Sequence, residues 1–307
     1  MAPSLRSDTR ATQPKEMAAF ARHETFHPRF GWLKKGFDRA SRDPQVFRAE
    51  DAAVQLGVGK NMVRAIRYWC TAFKVLAEDR PTAFGQQLLG QDGWDAYLED
   101  PASLWLLHWQ LLQAPCLATT WHFVFNEFRA VEFTEDQLRG DLASYAERLP
   151  SRPAASSLKK DLACLLRMYV PQPPARKRPE SEETLDCPFA ELGLLQRLGD
   201  TPHLAFRVGA KPSLAPAVVA YASLQQLGRG SGGARTIPAS RLLFEPGSPG
   251  LVFRLNEAAL CQALEAIAQD WPELALMETA GKLQLSLTTD EPHRLAVAIL
   301  ESYYATR

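Results

Sequence analysis

Apolar residues recur at helical intervals from Met17 to about Leu89 and again from Gly90 to Val170, the spacing of helices that bury one face. Trp105, Trp109, Trp121, Phe125 and Phe128 fall on the same period and read as core rather than as a stacking platform. The pattern stops at residues 171–184, PQPPARKRPESEET, where proline and charge leave nothing to bury and predict a linker. Beyond it, Leu214 to Leu227 reads as a helix with Pro216 tolerated in its first turn, and Arg229 to Ala234 as a glycine-rich loop. Leu251 to Leu255 alternates like a strand, and Asn256 is placed to cap a helix running to about Gln269. Leu274 to Met277 and Lys282 to Leu287 flank Glu278 to Gly281 as a terminal hairpin.

These elements predict a mainly α chain with short β hairpins, an α+β fold. Residues 1–16 are expected to be loose, 17–92 to form a winged helix-turn-helix, 93–170 a helical segment packed on it, and 185–307 a smaller winged-helix-like domain.

The helix-turn-helix expectation rests on FRAEDAAVQLGVGKNMVRAIRYWCTAF, residues 47–73. Such a unit needs a small residue where its helices touch, a residue at ease with positive φ in the turn, and apolar residues that hold the second helix. Ala53, Gly57, and Val63 with Ile66 meet those needs. On a helical wheel with Lys60 at zero, Arg64, Arg67 and Thr71 fall within about 40° of it, whereas Val63, Ile66, Cys70 and Phe73 lie at about −60° to −140°. A polar, basic stripe therefore faces away from the buried one. Lys60 and Asn61 open the second helix, where a recognition helix reaches base edges, and asparagine can pair bidentately with adenine. A packing or dimerisation unit is the alternative. Phe73 to Leu89 is expected to supply a wing hairpin and a further helix. Gly57 to Asn61 lacks the upstream glycine and the Ser or Thr of a phosphate-binding loop, so no nucleotide is expected.

Charge first argues against nucleic acid, because 35 Lys and Arg balance 35 Asp and Glu. The balance is a cancellation of blocks. Residues 1–80 hold six more basic than acidic side chains, 81–150 seven more acidic, 151–180 five more basic and 181–307 four more acidic. With a Debye length of about 8 Å, a bound ligand feels the local block. No stretch approaches the roughly 18 apolar residues of a membrane span, and five cysteines without a paired motif suit a reducing compartment. A cytoplasmic protein with no membrane partner is expected.

Residues 23–27 read His-Glu-Thr-Phe-His, which matches a zinc-protease pattern on its face. Pro28 disfavours a helix at His27 and no third ligand is spaced for the ion, so no structural zinc is expected. His23, Glu24, Arg29, Lys34 and Lys35 are interleaved with Phe26, Phe30 and Trp32. Two readings stay open. In one, Arg and Lys hold phosphates while His23 or Glu24 moves a proton or holds a metal; in the other, the aromatics bury, Glu24 pairs with Arg29 and the lysines are solvated. The acidic group Asp92, Asp95, Glu99 and Asp100 reads as a turn and helix cap in preference to a cation site.

The segments HETFHPRFGWLKKGFD (23–38), AVQLGVGKNMVRAIRYW within 46–73, GWDAYLEDPASLWLLHW (93–109) and, more loosely, GLVFRLNEAAL (250–260) together resemble the bacterial SspB family of DNA phosphorothioation and defence systems, catalogued as a domain of unknown function. The matched positions are His23, Glu24, Thr25, Arg29, Trp32, Leu33 and Lys35, then Gly57, Gly59, Lys60, Asn61, Arg64 and Arg67. The resemblance implies a protein that binds double-stranded DNA and nicks one strand so that sulfur can replace a phosphate oxygen. It also implies work beside a cysteine desulfurase, an ATPase and a sulfur-activating adenylating enzyme.

Assembled, the expectation is a metal-dependent nicking endonuclease. His23 and Glu24 are its catalytic pair, Glu24 the ligand of a magnesium or manganese ion, and Arg29, Lys34, Lys35, Lys60, Asn61, Arg64, Arg67 and Thr71 the nucleic-acid contacts. A homodimer is admitted. The alternatives are a non-catalytic DNA-binding adaptor or transcriptional regulator that recruits partner proteins and, from pathway context alone, a cysteine-based sulfur carrier.

Overall fold

Gly31, at φ 75°, turns the chain into helix α1 (Trp32–Arg42), whose buried side chains Trp32, Leu33, Gly36, Phe37 and Ala40 form one stripe. Gly36 sits where α1 crosses α3: a Cβ there would lie 2.5 Å from Cys70 Sγ and 2.8 Å from Ile66, so only glycine allows the approach. A 3-10 turn (Val46–Arg48) leads to α2 (Ala52–Leu56), and Gly57, in the left-handed region at φ 63°, closes it before α3 (Lys60–Ala72). A two-stranded antiparallel hairpin, β1 (Leu76–Ala77) and β2 (Arg80–Pro81), follows, then α4 (Ala83–Leu89). The computed structural model describes residues 18–150, 152–171, 187–230, 233–279 and 281–307. The expected loose N-terminus and nearly all of the expected linker lie outside the described residues.

Asp100 caps α5 (Pro101–Leu112), which has Pro101 in its first turn and is buried at every later position. A helix apolar on all sides belongs inside a fold, and its few polar atoms are satisfied there. His108 Nδ1 bonds the Tyr169 hydroxyl at 2.8 Å and Nε2 the Val252 carbonyl at 2.9 Å, and Trp109 donates to Gln225 at 2.7 Å. After α6 (Thr119–His122), a π-turn (Phe123–Glu127) and β3 (Glu132–Thr134) come α7 (Glu135–Ala146) and α8 (Ala155–Tyr169).

Past the undescribed segment, a 3-10 turn (Pro188–Leu192) precedes β4 (Leu195–Arg197) and β5 (His203–Phe206). Strand β5 lies between β4 and β3, pairing antiparallel with both, with Phe133 opposite Leu204. The segments 93–170 and 185–307 thus share a sheet. The chain continues through α9 (Pro216–Gly228), β6 (Thr236–Pro238), α10 (Ala239–Phe244), α11 (Pro249–Val252), α12 (Glu257–Ala268), β7 (Leu274–Thr279), β8 (Lys282–Leu287) and α13 (Pro292–Ala305). Strand β8 pairs with β6 and β7, and α9 packs on α12 and α13. One continuous buried cluster runs from Trp32 to Tyr304.

The fold is α+β. Asn256 caps α12 as expected, its carboxamide oxygen accepting from Ala259 N at 2.9 Å. Two expectations need correction. Leu251 to Leu255 is not a strand: Ser248 caps α11, Pro249 occupies its first position, and Leu251, Val252 and Phe253 are all buried, so burial does not alternate. The hairpin β7–β8 is not terminal either, because Pro292 starts α13, which buries Leu295, Ala296, Ile299 and Leu300. No helix among the described residues is long and apolar enough to cross a membrane.

Candidate nucleic-acid interface

Helix α3 buries Val63, Ala65, Ile66, Trp69, Cys70 and Ala72 against α1 and α2. This leaves Lys60, Asn61 and Arg64 exposed on its first two turns. Gly59 at its N-cap has an extended backbone and offers no side-chain cap. The first backbone N–H groups of α3 and two cationic side chains thus point out of the same end, an arrangement that attracts anions.

Farther along α3 the predicted stripe is engaged within the protein. Arg67 grips Asp79 with two hydrogen bonds, Nε at 2.6 Å and Nη2 at 2.7 Å. Arg48 reaches the same carboxylate at 3.2 Å. Asp79 is 4% exposed at the tip of the β1–β2 hairpin, where it and Glu78 have positive φ. One buried carboxylate therefore ties the hairpin to α3 and to the turn before α2. Thr71 spends its hydroxyl on the Arg67 carbonyl at 2.9 Å.

The His-Glu segment divides between interior and surface. Glu24 and Thr25 have φ of 51° and 69°, so His23 and His27 are not one helical turn apart as a zinc-protease helix requires. His23 is 1% exposed. Its Nε2 meets Asp161 Oδ1 at 2.9 Å, and its ring packs between Trp69 and Trp121. Asp161, on α8, also accepts from Ala21 N at 2.7 Å and Thr120 Oγ1 at 2.7 Å, which bolts the start of the described chain to α6 and α8. The Glu24 carboxylate lies at the surface, 3.6 Å from Arg64. The two expected catalytic groups are adjacent in sequence but face different surroundings.

Arg29 is buried, with its guanidinium over the rings of Trp32 and Phe26 at 5.2 and 5.8 Å. Lys34 pairs with Asp38 at 2.8 Å, donates to the Leu89 carbonyl at 3.2 Å and lies over Tyr97. Lys35 is exposed. Arg80, which sequence reasoning did not single out, is exposed on β2 beside the same hairpin tip. The expected wing could have pointed to it. The acidic group behaves as caps: Asp95 accepts from Glu99 N, Asp100 N and the Ser103 hydroxyl, and Asp100 from Ala102 N.

A profile of the family described as "Protein of unknown function (DUF4007)" matches residues 20–304. This chain belongs to that family. The DUF4007 chain is similar to two solved structures, an SspB crystal structure and a magnesium ion-bound SspB crystal structure. In each case identity is 40%, the match covers 94% of this chain and 88% of the other, and the TM-score is 0.86. It is an SspB-family domain. No curated protein matches it.

Magnesium in that relative invites a test of the groups present here. Among the described residues of this DUF4007 chain, no three His, Cys, Asp or Glu side chains gather where they could hold a metal. Glu24 faces Arg64, and the carboxylates of Asp95 and Asp100 are taken up by capping. Glu24 is thus the surface carboxylate of the segment, and magnesium, which is commonly held by one or two carboxylates with water and substrate phosphate completing its shell, would have to draw it away from Arg64.

Proposed function

We propose that the chain is the DNA-binding component of a bacterial DNA phosphorothioation system, with α2 and α3 acting as a helix-turn-helix and the β1–β2 hairpin as its wing. The observation that carries this reading is the exposed start of α3, where Lys60, Asn61 and Arg64 lie on the first two turns of a helix with no side-chain N-cap. The likeness to SspB structures supplies the pathway. In this reading Lys60, Arg64, Lys35 and Arg80 hold phosphates, Asn61 reads a base edge, and Arg67 holds the wing in place through Asp79. The expected partners are the cysteine desulfurase, the ATPase and the adenylating enzyme of such a system in the cytoplasm, with a second copy of the chain on a palindromic site.

The test is duplex binding across a salt series. Each lost phosphate contact lowers the slope of log K against log salt by about 0.9, so Lys60→Ala/Arg64→Ala should reduce it by roughly 2 and weaken binding at least tenfold at 0.1 M salt. Binding as tight as the parent's would remove α3 from the interface.

Strand nicking with Glu24 as the reacting carboxylate is the finer form of the proposal. The burial of His23 against Asp161 favours a second reading, a non-catalytic adaptor or transcriptional regulator in which His23 only fixes the fold. Supercoiled plasmid with magnesium or manganese separates them. Nicking lost in Glu24→Ala with binding retained supports the enzyme; a purified protein that binds duplex but never nicks supports the adaptor.

A further inference from the structure

The segment between β5 and α9 gathers cations without counter-ions. Lys211 is 6% exposed, and its ammonium donates to the carbonyls of Gly209 at 2.7 Å and Arg254 at 2.8 Å. Arg207 and Arg254 are the charged neighbours that act on it. Arg254 is itself buried, stacked 3.7 Å over the Phe206 ring, with Nη2 on the Val124 carbonyl and Nε without an acceptor. None of the three makes an ion pair among the described residues. A buried cation left unpaired is costly, and here like charges stand beside it. Burial first, and then Arg207 and Arg254, push the Lys211 ammonium down to about 7.

This cluster borders a cavity of about 420 Å³ between α9 and α12, with Arg207 and Lys211 among its walls. Ala259, Ala263 and Ala266 line it along α12, Leu214, Val219 and Leu255 supply further apolar surface, and Gln262 adds an amide. An apolar cavity with a few polar groups of one kind is the usual form of a small-ligand site. The lining holds no carboxylate and no aromatic ring. Missing acid favours an anionic ligand, and missing rings leave nothing on which a nucleobase would stack. Two of the three ammonium N–H groups are already committed to carbonyl oxygens, whose partial charges would repel a dianionic phosphate. One remaining N–H suits a carboxylate oxygen.

We propose that the cavity between α9 and α12 binds an apolar carboxylate, its anionic end completing the charge of Lys211 and Arg207 and its aliphatic body lying along Ala259, Ala263 and Ala266. An aliphatic acid and the C-terminal residue of a peptide share this chemistry. The site is separate from the α3 interface and does not depend on the DNA-binding reading.

Isothermal titration of the full chain at pH 6.5 with sodium octanoate, and with an acetylated peptide ending in Ala-Leu-Leu, tests it. Octanoate should bind with a Kd of roughly 0.1–1 mM. A peptide at least tenfold tighter than octanoate identifies a protein C-terminus as the source, and the reverse order a free acid. The amidated peptide should bind at least tenfold more weakly than the acid. Arg207→Gln, at an exposed position, and Ala263→Phe, which fills the cavity, should each weaken binding tenfold or more with the thermal unfolding midpoint retained. Raising the pH to 8.5 should weaken binding as Lys211 loses its proton; the residues that α9 and α12 contribute to the cavity are not titratable. Three outcomes overturn the proposal: no heat from either ligand at 5 mM, amide binding equal to acid, or both variants binding like the parent.

Discussion

Asp79 carries more of the local architecture than its place in the turn of a six-residue hairpin suggests. It is buried, two arginines from different elements meet on it, and without it two like charges would be left side by side. Breaking a fully buried pair costs about 3–5 kcal/mol. The arginine side chains are 39% and 59% exposed, so solvent screening should reduce the loss in Asp79→Ala to about 1–3 kcal/mol, measured by urea unfolding. An unchanged midpoint would mean the hairpin is held by its backbone alone. His108 gives a pH-dependent counterpart. Burial, helped by the charges of Arg254 and Lys211 and opposed by the hydrogen bond to the Val252 carbonyl, pushes its imidazole down to about 3, whereas in the unfolded chain it titrates near 6.5. The unfolded state therefore binds the extra proton between those values, and stability falls as pH drops below about 6.5. His108→Gln should flatten this dependence between pH 7 and 5, and an undiminished slope would assign it to another group.

At the scale of elements, the helix pair α2–α3 was open to reading because each of its requirements is local. Gly57 adopts φ 63° with nothing within 4 Å of a Cβ placed there, so the cost of replacing it is purely conformational. Gly57→Ala should lose about 1 kcal/mol, Gly57→Asn less and Gly57→Val more; equal midpoints for all three would show that the turn can relax. Helices α9 and α12 were legible for the same reason, a proline or an asparagine at the first turn and a helical apolar period behind it. Strands β3 and β5 were not, since three or four residues say little and the two pair across 71 positions at Phe133 and Leu204. Residues 251–255 misled because a segment buried on all faces shows no period, and α13 was written plainly in Pro292 and the apolar residues behind it. The site follows the same division. The exposed cations at the start of α3 could be counted from a wheel, but the acceptors that occupy Arg67 and His23 lie 12 and 138 residues away, and no wheel contains them.

At the scale of the molecule, the linker suggests two units while the interior is continuous. Strand β3 completes a sheet with β5 and β4, and α5 is enclosed by α8, α9 and α11 from both sides of the break. Residues 18–171 and 187–307, produced as separate chains, should therefore co-purify and regain a single cooperative thermal transition when combined. Two fragments that each melt cooperatively alone would establish independent domains.

The enclosure of α5 also sets a schedule for synthesis. Its His108 waits for the Val252 carbonyl, which emerges 144 residues later. At about 5–20 residues per second that is an interval of roughly 7–30 s. Throughout it α5, buried at all but its first position in the folded protein, stands outside the ribosome without the cover of α11. A ribosome-stalled chain ending between α5 and α11 should therefore be captured by a holding chaperone more strongly than one that already includes α11.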